Sequence, residues 1–271
     1  MSNLAPIGVF DSGVGGLTVV KEIMNQIPDE TIIYFGDTAR LPYGSKSKET
    51  IITYTRQIIR FLMTKNVKAV VIACNTASAF ALDTVKKEFD VPIIGVVKPG
   101  AKVAAETTKN GRIGVIGTEG TIQSGIYNDF LNKTNPQLKV YGKACPLFVP
   151  LVEEGLVDDS VTMEMARRYI GELLINDIDT LVLGCTHYPL LRNTIRKVVG
   201  DKVELVNPAY ETAQALNVIL KEKDLKSNGI PKTDHKFFVS DGADKFKKFA
   251  NTILPCEVVE TKDVNIENYS F

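Results

Sequence analysis

Short, wholly apolar runs that stop at a polar or glycine-bearing turn and give way to helical spacing recur along this chain. Residues 6–10 end at Asp11-Ser12-Gly13-Val14-Gly15-Gly16, and Leu17, Val20, Ile23, Met24 and Ile27 then recur at helical intervals until Pro28. Residues 31–35, 69–73 and 92–96 read as further strands, and 47–63 as a helix turning Ile51, Tyr54, Ile58, Ile59 and Leu62 inward. A strand that is apolar on both faces must be covered on both. The expected fold is therefore α/β, with mostly parallel sheets flanked by helices.

The second half repeats the scheme. Residues 112–116 form a strand ending at Gly117-Thr118-Glu119-Gly120, and Ile122, Ile126, Tyr127, Phe130 and Leu131 follow in a helix. Residues 179–183 form another strand, and the segment after Pro189 returns to helical spacing. Later come a helix near 211–220, a strand near 236–239 and a helix near 245–253. Ile7-Gly8-Val9-Phe10-Asp11-Ser12-Gly13 resembles Ile113-Gly114-Val115-Ile116-Gly117-Thr118-Glu119. At nearly the same offset, Val70-Val71-Ile72-Ala73-Cys74-Asn75-Thr76 resembles Leu181-Val182-Leu183-Gly184-Cys185-Thr186-His187. The paired echoes predict two pseudo-symmetric lobes around a cleft: residues 1–98 with 208–271, carrying Asp11 and Cys74, and residues 99–207, carrying Cys185 and His187. Loops at Pro99-Gly100 and Asn207-Pro208 are expected where the chain crosses between lobes. The stretch 221–236, with Asn228-Gly229 and Pro231, reads as a surface connection whose lysines form a solvated face.

Composition removes several classes. The 271 residues carry 32 Lys and Arg against 32 Asp and Glu, so no excess charge draws the chain to nucleic acid. The longest apolar run, around 69–74, is far short of the roughly 18 residues a membrane span needs. The first residues show no basic region followed by a cleavable apolar stretch, so a cytoplasmic setting is expected. Four cysteines, Cys74, Cys145, Cys185 and Cys256, are too few and too dispersed for a disulfide scaffold, and none forms a Cys-x-x-Cys pair.

Two of those thiols stand out. Cys74 and Cys185 each end a buried strand and each is followed by hydroxyl or amide side chains, and strand carboxyl ends are where open α/β sheets bind ligands. Facing one cleft, two thiols can form a disulfide, hold a metal, or act as acid and base on opposite faces of one carbon. Asp11 and His187 lie where they can tune the two sulfurs, although Asp11 also suits an N-cap and His187 a packed turn. The turn from Asp11 to Gly16 resembles an anion-binding turn, and Pro42-Tyr43-Gly44-Ser45 another polar turn with donors. No Walker or dinucleotide fingerprint is present. Cys145, Cys256 and His235 read as structural.

Four blocks carry a resemblance: Phe10-Asp11-Ser12-Gly13-Val14-Gly15-Gly16, Leu41-Pro42-Tyr43-Gly44, Ala73-Cys74-Asn75-Thr76-Ala77-Ser78 and Gly184-Cys185-Thr186-His187-Tyr188-Pro189-Leu190. In these blocks and their spacing the chain resembles the cofactor-independent aspartate/glutamate racemase family. His187 stands where aspartate-specific members carry Glu, which points to the glutamate branch. The resemblance implies interconversion of L- and D-glutamate between two lobes without PLP, metal or nucleotide. Cys74 would take the α-proton of the D-enantiomer and Cys185 that of the L-enantiomer. Asp11 would assist the first, and His187 with Glu153 the second. Ser12, Tyr43, Gly44, Asn75, Thr76 and Thr186 would hold the amino and carboxylate groups, with Ser45 and Thr118 added. It further implies a homodimer that supplies D-glutamate for peptidoglycan. Some members carry an N-terminal extension associated with activation by a wall precursor; a first strand near residue 6 predicts that this chain does not share it. A cysteine-nucleophile hydrolase or amidotransferase and a non-catalytic amino-acid-binding module are the competing readings.

Overall fold

The computed structural model describes residues 3–230 and 232–270; Met1, Ser2, Phe271 and Pro231 of the 221–236 connection lie outside it. Its strands, in chain order, are β1 (Ile7–Asp11), β2 (Ile32–Gly36), β3 (Ala69–Ile72), β4 (Ile93–Gly95) and β5 (Arg112–Gly117). They continue as β6 (Lys139–Ala144), β7 (Thr180–Gly184), β8 (Glu204–Val206), β9 (Lys236–Val239) and β10 (Thr261–Asp263). They form two sheets, one in the order β10-β9-β2-β1-β3-β4 and one in the order β6-β5-β7-β8. Every strand pairing is parallel.

Helices cover both faces because the strands are apolar on both. In β1, Ile7 and Val9 pack with Leu17, Val20 and Ile23 of the helix Leu17–Gln26, whereas Phe10 faces Ile51, Ile58 and Leu62 of the helix Lys48–Met63. Burying each such aliphatic side chain contributes about 1.5–3 kcal/mol, so the layer sandwich is driven by apolar area. Ser47 starts the second of these helices by accepting from the Thr50 N–H at 3.2 Å.

The two crossings between sheets are helical, which corrects the loops expected there. The chain leaves β4 through the helix Val97–Thr107 and returns from β8 through the helix Pro208–Glu222. Pro99 falls in the first turn, where its missing N–H has no intrahelical partner to lose, and Gly100 lies against Pro208 where the two helices cross. Asn207 caps the second helix through the Ala209 N–H at 3.1 Å, with Pro208 at its first position.

The 221–236 connection is also less peripheral than its composition suggests. Leu225 and Ser227 are buried, and Ser227 donates its N–H to Glu30 Oε1 at 2.8 Å. Glu30 Oε2 lies 2.5 Å from Lys68 Nζ, both side chains being fully buried just before β2 and β3. Breaking such a pair from one side costs about 3–5 kcal/mol, so the end of the first sheet opposite its ligand edge is clamped. Among the described residues no helix is long and apolar enough to cross a membrane.

Candidate active site

Strand alternation decides what faces the gap between the sheets. In β3, Val70 and Ile72 share a face, and Cys74 continues it; in β7, Leu181 and Leu183 do so, and Cys185 follows. Residues just after β1, β3, β5 and β7 (Ser12, Cys74, Thr118 and Cys185) all line one narrow cavity of about 40 Å³. Both sulfur-bearing residues are nearly buried, Cys74 at 5% and Cys185 at 6% exposure. Tyr43, Gly44, Asn75, Thr76, Glu153, Thr186 and His187 line the same cavity.

The two sulfurs have different neighbours. Cys74 Sγ lies 3.7 Å from Ser12 Oγ. Burial, and then the nearby charge of Asp11, push its thiol up to about 12, against partial relief from the Ala77 N–H and the Ser12 hydroxyl. Cys185 Sγ lies 3.9 Å from His187 Nδ1, and His187 Nε2 is 3.1 Å from Glu153 Oε1 at the end of the helix Phe148–Glu153. Burial works against a charged His187, but the hydrogen bonds to Cys185 and Glu153 outweigh it and push the imidazole up to about 10. Its hydrogen bond holds the half-buried Glu153 below the ordinary carboxylate range, despite desolvation. These two hydrogen bonds favour the protonated imidazole, and the face of His187 toward the first lobe is crowded. A Cβ on Gly15 would come within 2.4 Å of His187 Nδ1, so only glycine lets that turn pass.

Asp11 does not line the cavity; it lies fully buried behind it. Its Oδ2 accepts from the N–H groups of Gly16 at 2.9 Å and Gly13 at 3.2 Å, and its Oδ1 from Thr186 Oγ1 at 3.4 Å. The turn read as an anion cradle therefore directs these amides to its own carboxylate rather than to a ligand. Desolvation raises the Asp11 pKa, with the His187 charge and the backbone donors opposing.

Two further expectations change. Ser45 is exposed, because it ends the tight turn Tyr43–Ser45 with its side chain outward, and it is not part of the cavity lining. Tyr43 is buried at the cavity, but its hydroxyl donates to Asp37 Oδ2, so the ring and backbone are what it offers a ligand. The Asp37 carboxylate also takes Arg40 Nε at 2.8 Å.

Thr18, Thr121 and Tyr127, which the sequence did not mark as site residues, join the marked ones across the cleft here. Thr76 Oγ1 is 2.9 Å from Thr118 Oγ1 and 3.2 Å from Thr121 Oγ1. Tyr127 donates to Asn75 Oδ1 at 2.8 Å, and Thr18 to the Thr186 carbonyl at 2.9 Å. A hydroxyl acting across a cleft leaves no local pattern. Cys145 and Tyr188 belong to the second-lobe core, joined by Tyr188 OH and the Cys145 carbonyl at 2.9 Å. Cys256 lines a separate groove. Among the described residues no group of three or more His, Cys, Asp or Glu is placed to hold a metal ion.

Two cysteines at matched strand ends of two parallel sheets line one cavity, and the family model for Asp/Glu/hydantoin racemases matches residues 7–216: the chain belongs to that family. Within it the similarity is to glutamate racemases. That from Geobacter metallireducens is 48% identical over 261 residues, covering 96% of this chain and 97% of its own. The crystal structure of a glutamate racemase isoform from Bacillus anthracis superposes with a TM-score of 0.93 at 41% identity, covering 96% and 97%. The Francisella tularensis glutamate racemase in complex with D-glutamate gives 0.91 at 38%, covering 98% and 100%.

Proposed function

We propose that this chain is a glutamate racemase that interconverts L- and D-glutamate by proton transfer between substrate and two cysteines. The observation that carries the reading is that Cys74 and Cys185, delivered by different lobes, open onto the same narrow cavity. One sulfur, as thiolate, removes the α-hydrogen as a proton, and the electron pair stays on the α-carbon. The other sulfur, as thiol, delivers its proton to the opposite face. The product is the mirror image, and the two sulfurs have exchanged protonation states.

The neighbours divide the labour. Burial favours the protonated thiol at Cys74, and Cys185 lies beside His187, whose hydrogen bonds favour the protonated imidazole. This state is set to take the proton of L-glutamate at Cys185 and protonate from Cys74. The reverse direction needs the Cys74 proton to leave first, and Asp11, buried and raised in pKa, is the nearby acceptor. Ser12, Asn75, Thr76, Thr118 and Thr186 supply the short polar groups for the substrate carboxylates and amino group. A dry, preorganised cavity is what a weak carbon acid requires, because fixed dipoles act there at low dielectric. D-glutamate would serve peptidoglycan synthesis in the cytoplasm, with a homodimer as working unit; the family resemblance supports these assignments.

Cys185, His187 and Glu153 also resemble the line of a thiol nucleophile with its base. That chemistry gives Cys74 no task. Purified protein is incubated with L-glutamate and no added cofactor while optical activity is followed. Loss of the signal to zero, abolished separately by Cys74→Ser and by Cys185→Ser, supports racemisation. Retained activity in Cys74→Ser contradicts it, and a constant signal leaves a binding module.

A further inference from the structure

We infer that Tyr127 is a positioning residue, whose hydroxyl, carried by the second lobe, pins the Asn75 amide of the first so that its NH₂ faces the substrate cavity. This rests on the glutamate reading above. Tyr127 belongs to the helix Ile126–Thr134 and is buried. Its ring lies against Gly184, where an added Cβ would come 3.3 Å from Cε2, immediately before Cys185. Its hydroxyl reaches Asn75 Oδ1, immediately after Cys74. One side chain therefore spans the two cysteine-bearing strand ends.

Asn75 offers one oxygen acceptor and two N–H donors. With the oxygen taken by Tyr127, its Nδ2 has no hydrogen bond among the described residues, while Asn75 lines the cavity. Burial keeps the Tyr127 phenol far above its ordinary pKa, so it stays a donor throughout the working range. A pinned amide presents donors to a carboxylate; a free one can rotate and set oxygen against oxygen. Thr186 in the other half-site is also bonded across the lobes, its carbonyl accepting from Thr18 and its hydroxyl donating to Asp11. Each residue that follows a cysteine is thus oriented only when the lobes meet.

Tyr127→Phe keeps the ring and removes the pin. Calorimetric Kd and steady-state KM for both enantiomers are expected to rise about tenfold, the effect of one net hydrogen bond, with kcat changed less than about threefold. The melting temperature should fall by no more than about 4 °C. In an Asn75→Ala background the same change should add less than about twofold. An unchanged Kd and KM in Tyr127→Phe, or a full independent effect in the double variant, overturns the inference. Should Tyr127→Phe not fold, Asn75→Asp keeps the tyrosine bond but turns an oxygen to the cavity. It must weaken Kd by about a hundredfold, the scale of a mispaired buried polar group, and an unchanged Kd overturns the inference. A wild-type protein that binds glutamate without racemising it sinks the catalytic reading, while the Kd comparison still judges Tyr127. One that binds no glutamate sinks both.

Discussion

The Cys74 and Cys185 half-sites share a backbone plan and differ in their electrostatics. Each places a sulfur at the end of a buried parallel strand and a hydrogen-bonding residue directly after it. Around Cys74 the neighbouring groups are the Ser12 hydroxyl and the charge of Asp11, and burial pushes the thiol pKa up. Around Cys185 they are an imidazolium and its Glu153 partner. The helix Asn75–Glu88 begins at the residue after Cys74, whereas Cys185 leads into a tight turn, Tyr188–Leu191, before its helix. The turn lets His187 fold back onto the sulfur. A near-symmetric fold thus supplies two matched strand ends, and the side chains around them give each cysteine a different electrostatic setting, which is what the proposed division into acid and base rests on.

The largest expected effect comes from removing either sulfur. Cys74→Ser and Cys185→Ser should each cost about 10²–10⁴ in turnover in both directions, the range of a lost general acid or base. A cysteine variant that keeps wild-type turnover would break the pairing of the half-sites. Next come His187→Gln and Asp11→Asn, each expected to lower kcat/KM by about 10–10². Enantiomers have equal free energy, so kcat/KM must fall equally for L- and D-glutamate. The asymmetry should instead appear in primary isotope effects. His187→Gln should raise the effect for α-deuterated L-glutamate, whose proton goes to Cys185, and Asp11→Asn that for the D-enantiomer. Equal isotope effects in both variants would erase the proposed difference. Glu153 touches only the far nitrogen of His187, so Glu153→Gln should lower kcat/KM by less than about tenfold.

The pH dependence of stability sharpens the same contrast. His187 binds its proton more tightly in the folded chain, about 10 against about 6.5 unfolded. Its contribution is full below pH 6.5 and is lost as pH rises through about 10. Urea unfolding of wild type and His187→Gln should therefore show a stability gap at pH 6 that narrows by pH 10. A gap that widens with pH would mean that the imidazole is held neutral.

The division between what the sequence revealed and what it concealed follows from the range of the forces involved. β1, β2, β3 and β7 are buried throughout, and their apolar runs announce them. β6 is only partly buried with polar residues interleaved, and β8 and β10 span three residues each, too short for any period. Both cavity-lining cysteines were legible because a cysteine closing such a run is a local pattern. Tyr127 and Thr18 were not, because they act across the lobes on residues far away in sequence. Asp11 was recognised, but the fate of the amides beside it depends on how the turn closes, which composition does not encode.

In the two-cysteine mechanism the proton removed and the proton delivered belong to different sulfurs. Its most direct test follows L-glutamate in D₂O with catalytic protein, reading the α-position of each enantiomer by mass spectrometry in the first few per cent of reaction. Two opposed thiols predict D-glutamate carrying solvent deuterium, while the remaining L-glutamate is still protiated. D-glutamate that retains the substrate's own α-hydrogen would contradict the account.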